Sequence, residues 1–351
     1  MTAPATRRAA RLRAAAEIDP SSQRSLESLG LGIGAIAFVI TALVALAAFR
    51  FESAPIAGPN SAGQFAAIAS AVTAALAFIA GRYVVRDTSR QVRALDVLDV
   101  AALAFAHAMV ALLSWTLLAV IFEGGFVDAE VFALPLLMLS GAAAALTGYV
   151  AFFSATHMDL SLLAVVLAVF LVLGVLASTL SSADPHWWEM NLSALGATDD
   201  LSALAFNLTL IVAGVIVTTL ARYATRSLPT PHPHGARNVR ICLIIVGIFL
   251  ACVGIFPVDE HFWIHNTVAT GMAVAFAVAA IRMPVWIPGM PRAFVALGWL
   301  FIAITVVLGV LFAVGYYTLT AVELVAGVLI FSWIILFLRN AAALHEDTDR
   351  A

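Results

Sequence analysis

The chain contains no lysine: all 18 of its basic residues are arginine, and charged residues of either sign make up only 11% of the 351. With 63% hydrophobic residues and a mean hydropathy of +1.02, that excludes a soluble domain of this size, in which about a quarter of the residues are charged. Cysteine is almost as scarce. Cys242 and Cys252 share one predicted helix, where ten residues of separation is about 15 Å, too far for a disulfide. No CxxC or CxxCH motif is present, which argues against an iron–sulfur cluster or attached haem. Also missing are a phosphate loop, a GxSxG elbow and an HExxH helix, so no familiar catalytic signature stands out. Paired Gly/Pro breaks of the kind that interrupt transporter helices are not evident either.

What is present is apolar length. A helix needs about 20 apolar residues to cross the hydrocarbon, and the chain offers roughly ten such runs. They lie at about residues 29–49, 62–85, 97–122, 129–154, 158–182, 201–221, 239–257, 263–281, 293–314 and 318–338. Period-2 alternation is absent and the runs are too long for barrel strands, so the expected fold is an all-α polytopic membrane bundle. The connections are short and leave no room for a soluble catalytic domain. "PTPHPHG" at Pro229–Gly235, with alternating Pro and His, reads as a solvated linker rather than a metal site.

The arginines orient the bundle, because basic residues near helix ends mark the cytoplasmic side. Arg7, Arg8, Arg11, Arg13 and Arg24 precede the first run, and Arg82, Arg86, Arg90 and Arg93 lie around the second-to-third loop. Arg222, Arg226, Arg237 and Arg240 flank the sixth-to-seventh loop, Arg282 and Arg292 the eighth-to-ninth, and Arg339 and Arg350 follow the last run. Only Arg50 falls on the opposite side, which instead carries Glu52, Glu123, Asp128, Glu130, Asp184, Glu189, Asp199, Asp200, Asp259 and Glu260. Both termini are therefore expected in the cytoplasm of a cell with this protein in its bacterial inner membrane. The Arg-rich segment 1–28 followed by a long apolar run reads as a retained signal anchor. Membrane lipids are the expected partners; nucleic acid is not.

The sequence divides into that N-terminal segment, a four-span region at 29–157, a six-span region at 158–340 and a tail at 341–351. The second run, "SAGQFAAIASAVTAALAFIAGRYVVR", echoes the sixth, "SALAFNLTLIVAGVIVTTLARYATR", and the third ends "IFEGGFVD" where the seventh ends "IFPVD". A parallel duplication, with spans one to four repeated in five to eight, would account for both.

Ionisable groups at membrane depth cost roughly 2.5–3.5 kcal/mol on insertion scales, so each asks for a partner or a purpose. On the outer side, "FPVDEHFWIH" (Phe256–His265) follows the seventh run, which Pro257 ends. His261 and His265 stand four apart, the spacing that stacks two imidazoles on one helix face and can hold a metal. Ser193 in the preceding outer loop, Asn207 about two turns into the sixth run and Glu323 about one turn into the tenth converge on the same level. A pairing of Glu323 with His265 is expected. The competing reading is an interfacial polar cap aided by belt aromatics such as Phe262, Trp263, Trp187 and Trp188. In the inner half, Asp96, Asp99 and His107 lie on the third run; Asp99 and His107 suggest either a water-linked proton route or ordinary interhelical hydrogen bonds.

"LSALGATDDLSALAFNLTLIVAG" followed by "GIFPVDEHFWIHNTVA" resembles a bacterial and archaeal membrane family known as domain of unknown function 998. The resemblance covers about residues 160–340 and rests on Ser193, Gly196, Asn207, Gly214, Phe256, Pro257, Asp259 and His265. It implies a six-span fold and no reaction. In pattern it is distantly similar to eukaryotic six-span DRAM-like families linked to autophagy modulation and lipid-anchor remodelling, which by analogy implies a lipid connection.

Three functions stay open. The first is the binding of a lipid or small amphiphile in an outer polar cavity lined by Ser193, Asn207, Asp259, His265 and Glu323. The second is an intramembrane zinc hydrolase with His261, His265 and Asp259 around the metal, where the sequence supplies only two closely spaced His and the third ligand is borrowed from Glu323 or His186. The third is a proton-coupled transporter using Glu323 and His265 outside, Asp99 and His107 inside.

Overall fold

The structure, a computed structural model, describes residues 22–87, 89, 91–198, 201–225 and 228–350. Among the charged residues that orient the chain, Arg7, Arg8, Arg11, Arg13, Arg90, Arg226, Asp199 and Asp200 lie outside that set. Ten helices are long and apolar enough to cross a membrane. They are α1 (Gln23–Phe49), α2 (Ala62–Val84), α3 (Ala94–Gly125), α4 (Ala133–Thr156), α5 (Leu160–Ser181), α6 (Leu201–Ala224), α7 (Gly235–Ile255), α8 (Phe262–Trp286), α9 (Arg292–Ala313) and α10 (Leu319–Arg350). Each predicted run becomes one helix. The largest departure is at the end, where the apolar run stops near Leu338 but α10 continues through a polar tail to Arg350.

Local chemistry sets several boundaries. Ser61 Oγ accepts from the Gln64 N–H at 3.0 Å, and Asp159 Oδ1 from the Leu162 N–H at 2.7 Å, each satisfying one of the orphan donors at a helix start. Phe256 and Pro257 stop α7, and α8 begins only at Phe262, with His261 in the non-helical position before it.

Two compact units emerge, one of Met1–Ala94 with Ser114–His157, the other of Leu95–Leu113 with Met158–Ala351. In the first unit, α4 packs along both α1 and α2, which hardly meet each other. The seam with α1 is lined by small residues at helical spacing, Gly30, Gly34, Ala37, Thr41 and Ala45. Hydrocarbon tails are as apolar as leucine, so burial in lipid gives little drive; close backbone approach and its dispersion energy replace it. Antiparallel strands β1 (Ala54–Pro55) and β2 (Glu130–Val131) join the loops after α1 and α3, where the Ser53 hydroxyl donates to Glu130.

In the second unit, helices adjacent in sequence are adjacent in space: α5 on α6, α6 on α7, α7 on α8, with α10 against both α5 and α9. The echo between the second and sixth runs is thus not accompanied by a shared packing order. Helices α6 and α7 approach closely at a pair of glycines. A Cβ on Gly247 would lie 2.6 Å from the Gly214 carbonyl oxygen and 2.4 Å from Thr218 Oγ1, and one on Gly214 would lie 2.4 Å from the Gly247 carbonyl oxygen. The two backbones touch, and no side chain fits between them.

That contact yields a sign contrast. Gly-to-Ala in a helix ordinarily stabilises by about 1 kcal/mol through propensity. Gly309→Ala, with open space around the site, is expected to be neutral or stabilising, whereas Gly247→Ala should destabilise by about 1–3 kcal/mol through overpacking. Thermal unfolding of the two variants in detergent, side by side, reads the difference.

Candidate functional site

The loop between α5 and α6 does not stay in solvent. Its segment Leu192–Gly196 forms a short 3-10 turn in which Ser193, Ala194, Leu195 and Gly196 are all buried. A 3-10 turn leaves its first N–H and last C=O groups unpaired. Buried irregular backbone in a membrane bundle survives only where protein groups satisfy it.

The helices of the second unit supply those groups. At the start of the turn, the Leu192 N–H donates to Glu323 Oε2 of α10 at 2.6 Å. At its end, Asn207 Nδ2 of α6 donates to the Gly196 carbonyl at 2.9 Å, and the single Ser202 Oγ hydrogen is shared between the Ser178 carbonyl at 2.9 Å and the Leu195 carbonyl at 3.3 Å. Ser202 also pairs with Ser178 of α5. Gly196 lies so close to Asn207 that a Cβ there would fall 2.4 Å from Oδ1. In the middle, Ser193 Oγ lies 3.0 Å from His265 Nε2 of α8, and His265 Nδ1 lies 2.8 Å from the Phe256 carbonyl oxygen. A carbonyl only accepts, so Nδ1 carries a proton, and Nε2 pairs with the Ser193 hydroxyl. His265 is 3% and Ser193 6% exposed, so neither contact is shared with solvent.

Four of the five expected ligand-binding residues are thereby brought to one turn: Ser193, Asn207, His265 and Glu323. Asp259 is not among them. It sits exposed in the turn after α7 and, among the described residues, makes no hydrogen bond or ion pair. The expected pairing of Glu323 with His265 also does not form. Each holds an adjacent residue of the same turn instead, because a backbone N–H is available to the carboxylate and a hydroxyl to the imidazole.

The metal arrangement is not assembled. His261 precedes α8 rather than lying on it, so it does not share a helix face with His265. Its ring packs edge-on against Phe256, and Nδ1 lies 3.8 Å from Glu260. Both nitrogens of His265 are engaged by protein groups, and His186 lies exposed in the loop after α5. Among the described residues no three His, Cys, Asp or Glu side chains gather as a ligand set. Of the inner pair, Asp99 is buried and bonded to Thr219 Oγ1 at 2.9 Å and to Arg222 of α6, while His107 Nδ1 donates to the Leu103 carbonyl one turn back on its own helix. Asp99 thus joins α3 to α6 through an interhelical ion pair.

Sequence reasoning missed Arg222, Thr219 and Ser202. Arg222 was counted only as a topology marker, yet it and Asp99 lie on the same arginine-bearing side, and that depth match was a usable signal. Missed too were oxygens with no partner: Asn191 Oδ1, Asn207 Oδ1 and Thr320 Oγ1 are buried and, among the described residues, accept and donate nothing. Asn191 immediately precedes the turn, Asn207 caps its end, and Thr320 lies one helical turn before Glu323 on α10. All three border the same small region.

A family model described as Protein of unknown function (DUF998) matches residues 162–340, just over half of the chain, and the chain belongs to that family. All eight positions on which the resemblance rested fall inside the match, and five of them, Ser193, Gly196, Asn207, Phe256 and His265, build or hold the buried turn. Comparison with curated proteins and with solved structures gives no match.

If Glu323 serves chiefly as an acceptor for the turn, Glu323→Leu should lower stability by about 1–3 kcal/mol, because it leaves a buried N–H unpaired. Glu323→Gln, which keeps an acceptor oxygen, should recover most of that loss. Thermal melts of the detergent-solubilised protein separate the two, and equal losses in both variants would contradict the acceptor role.

Proposed function

We propose that this DUF998 chain is a multi-pass protein of the cell membrane that binds a lipid or small amphiphile at the outer end of its second unit, through a headgroup rich in hydrogen-bond donors. The observation that carries this reading is the set of unpartnered buried oxygens around the turn, Asn191 Oδ1, Asn207 Oδ1 and Thr320 Oγ1. Each unmet buried polar group costs about 1–3 kcal/mol. Three bordering one turn, in a bundle that otherwise satisfies that turn so fully, are best accounted for by a ligand that supplies the missing donors. A hydroxylated or ammonium headgroup has that chemistry, and its tail would lie along the apolar helix surfaces. Ser193, His265 and Glu323 then act as the frame that holds the turn in place. Asn191, Asn207 and Thr320 act as the contacts.

Thr320→Val is the discriminating variant, since it removes an unpartnered hydroxyl at constant shape and breaks no hydrogen bond in the free protein. Its basal melting temperature should be unchanged or higher. The stabilisation that a native lipid extract confers on the wild type should fall, by about the 0.5–1.5 kcal/mol of one hydrogen bond. An extract that stabilises neither protein, or both equally, would refute the reading; ordered water in place of ligand gives the second result.

The Ser193–His265–Phe256 chain of contacts favours a second reading. A hydroxyl hydrogen-bonded to an imidazole whose other nitrogen is oriented by an acceptor is the arrangement of a nucleophile and its base. On this reading Ser193 Oγ would attack an ester carbonyl of the bound amphiphile while His265 Nε2 takes its proton, and the alcohol leaving group would receive that proton. The reading expects a fluorophosphonate probe to add covalently to the wild-type protein in membranes and not to Ser193→Ala. Mass spectrometry showing no adduct on Ser193 would eliminate it and leave the binding reading intact.

A further inference from the structure

The first unit carries an opening of a different kind. Because α1 and α2 both pack on α4 and hardly meet each other, a groove of about 510 Å³ runs between them. Its α1 wall runs from Ile33 to Val44 and its α2 wall from Phe65 to Ala80. Apart from Thr41 and Thr73, every lining side chain is hydrocarbon. All of this lies within spans long and apolar enough to cross the membrane.

Shape and lining decide what fits. At 1.5 Å per residue the α1 wall is about 16 Å long and the α2 wall about 22 Å. A space of about 510 Å³ falls in the about 300–1,000 Å³ range of sites that take small molecules. Its length suits one extended hydrocarbon chain, whose carbons meet their neighbours at about 3.5–4 Å. The groove lacks the donors and acceptors that a polar ligand or an extended peptide would require.

One end of the groove is charged. The lining positions on α2 step along one face as Phe65, Ile68, Val72, Leu76 and Ala80, and the next residue on that face is Tyr83. Tyr83 is 69% exposed, and the Arg86 guanidinium lies over its ring, 4.9 Å from the centroid. The aromatic face fixes the guanidinium while leaving its N–H donors in plane and free to meet a phosphate.

We propose that the groove between α1 and α2 holds one acyl chain of an anionic phospholipid, with the lipid phosphate met by Arg86 where it stacks on Tyr83. This site is independent of the turn in the second unit. It involves none of the same residues and lies outside the part of the chain matched by the family model.

The test uses the full chain purified in detergent, incubated with phosphatidylglycerol or phosphatidylcholine carrying identical acyl chains, and weighed by native mass spectrometry. The wild type should retain one phosphatidylglycerol per chain and prefer it to phosphatidylcholine. Ala69→Trp fills the groove midway and should weaken retention of both lipids about tenfold or more. Val72→Trp, at a position already 56% exposed and therefore safe for folding, should do the same from the rim. Arg86→Gln should keep the chain in the groove and lose about fivefold of the preference for the anionic lipid. Thr320→Val acts on the outer-end site alone and should leave the losses caused by Ala69→Trp and Arg86→Gln at their wild-type size, so failure here and failure of the outer-end site are read separately. Retention unaffected by either tryptophan, equal retention of the two lipids by the wild type, or a bound protein in place of lipid would each overturn the proposal.

Discussion

A buried turn of non-helical backbone is the feature on which the second unit depends. Inside a helix every N–H and C=O is paired by the chain itself, and in hydrocarbon that self-sufficiency is close to compulsory. The segment Leu192–Gly196 gives it up, and three helices restore it: α6 through Asn207 and Ser202, α8 through His265, α10 through Glu323. Helix placement and turn geometry constrain each other. Shift α10 by one residue and Glu323 leaves the Leu192 N–H; shift α8 and His265 leaves Ser193. The side chains that cost most to carry into the membrane are therefore those that fix how the helices pack. A conflict between greasy composition and scattered ionisable groups becomes a division of labour, with small residues setting how close the helices come and polar residues setting their register.

The two units solve the packing problem differently. In the second, sequential neighbours pack and a polar turn closes one end. In the first, α4 is the common neighbour and small residues line its seams, so α1 and α2 stay apart. The groove follows from that order. Had α1 and α2 packed face to face as sequence neighbours usually do, Ile36, Ile40 and Val72 would be core residues instead of groove walls.

The ten helices were legible because hydrophobic length is a strong signal, and so was the gathering of polar residues at one end, because an acid or imidazole in an apolar run stands out. Glu323 was visible for that reason, but its partner was not: a backbone N–H has no letter of its own, so the search for a charged or ring partner led to His265. Asn207 was legible as a polar residue at depth, and Gly196 as part of a motif, but the contact between them depends on a turn that folds back into the bundle. Asp259 and His261 were drawn into the site by proximity in sequence. The chain breaks at Phe256 and Pro257 and restarts at Phe262, leaving Asp259 exposed and His261 outside the helix. The α1–α2 groove was not legible at all, since it comes from which helices do not touch.

An imidazole is a flat, rigid ring with a nitrogen on each of two edges. His265 uses both, one on the Phe256 carbonyl where α7 ends and the other on Ser193 in the buried turn. A single plane therefore splices two stretches of non-helical backbone that are far apart in the sequence. Neither stretch can shift without turning a ring that the other one holds.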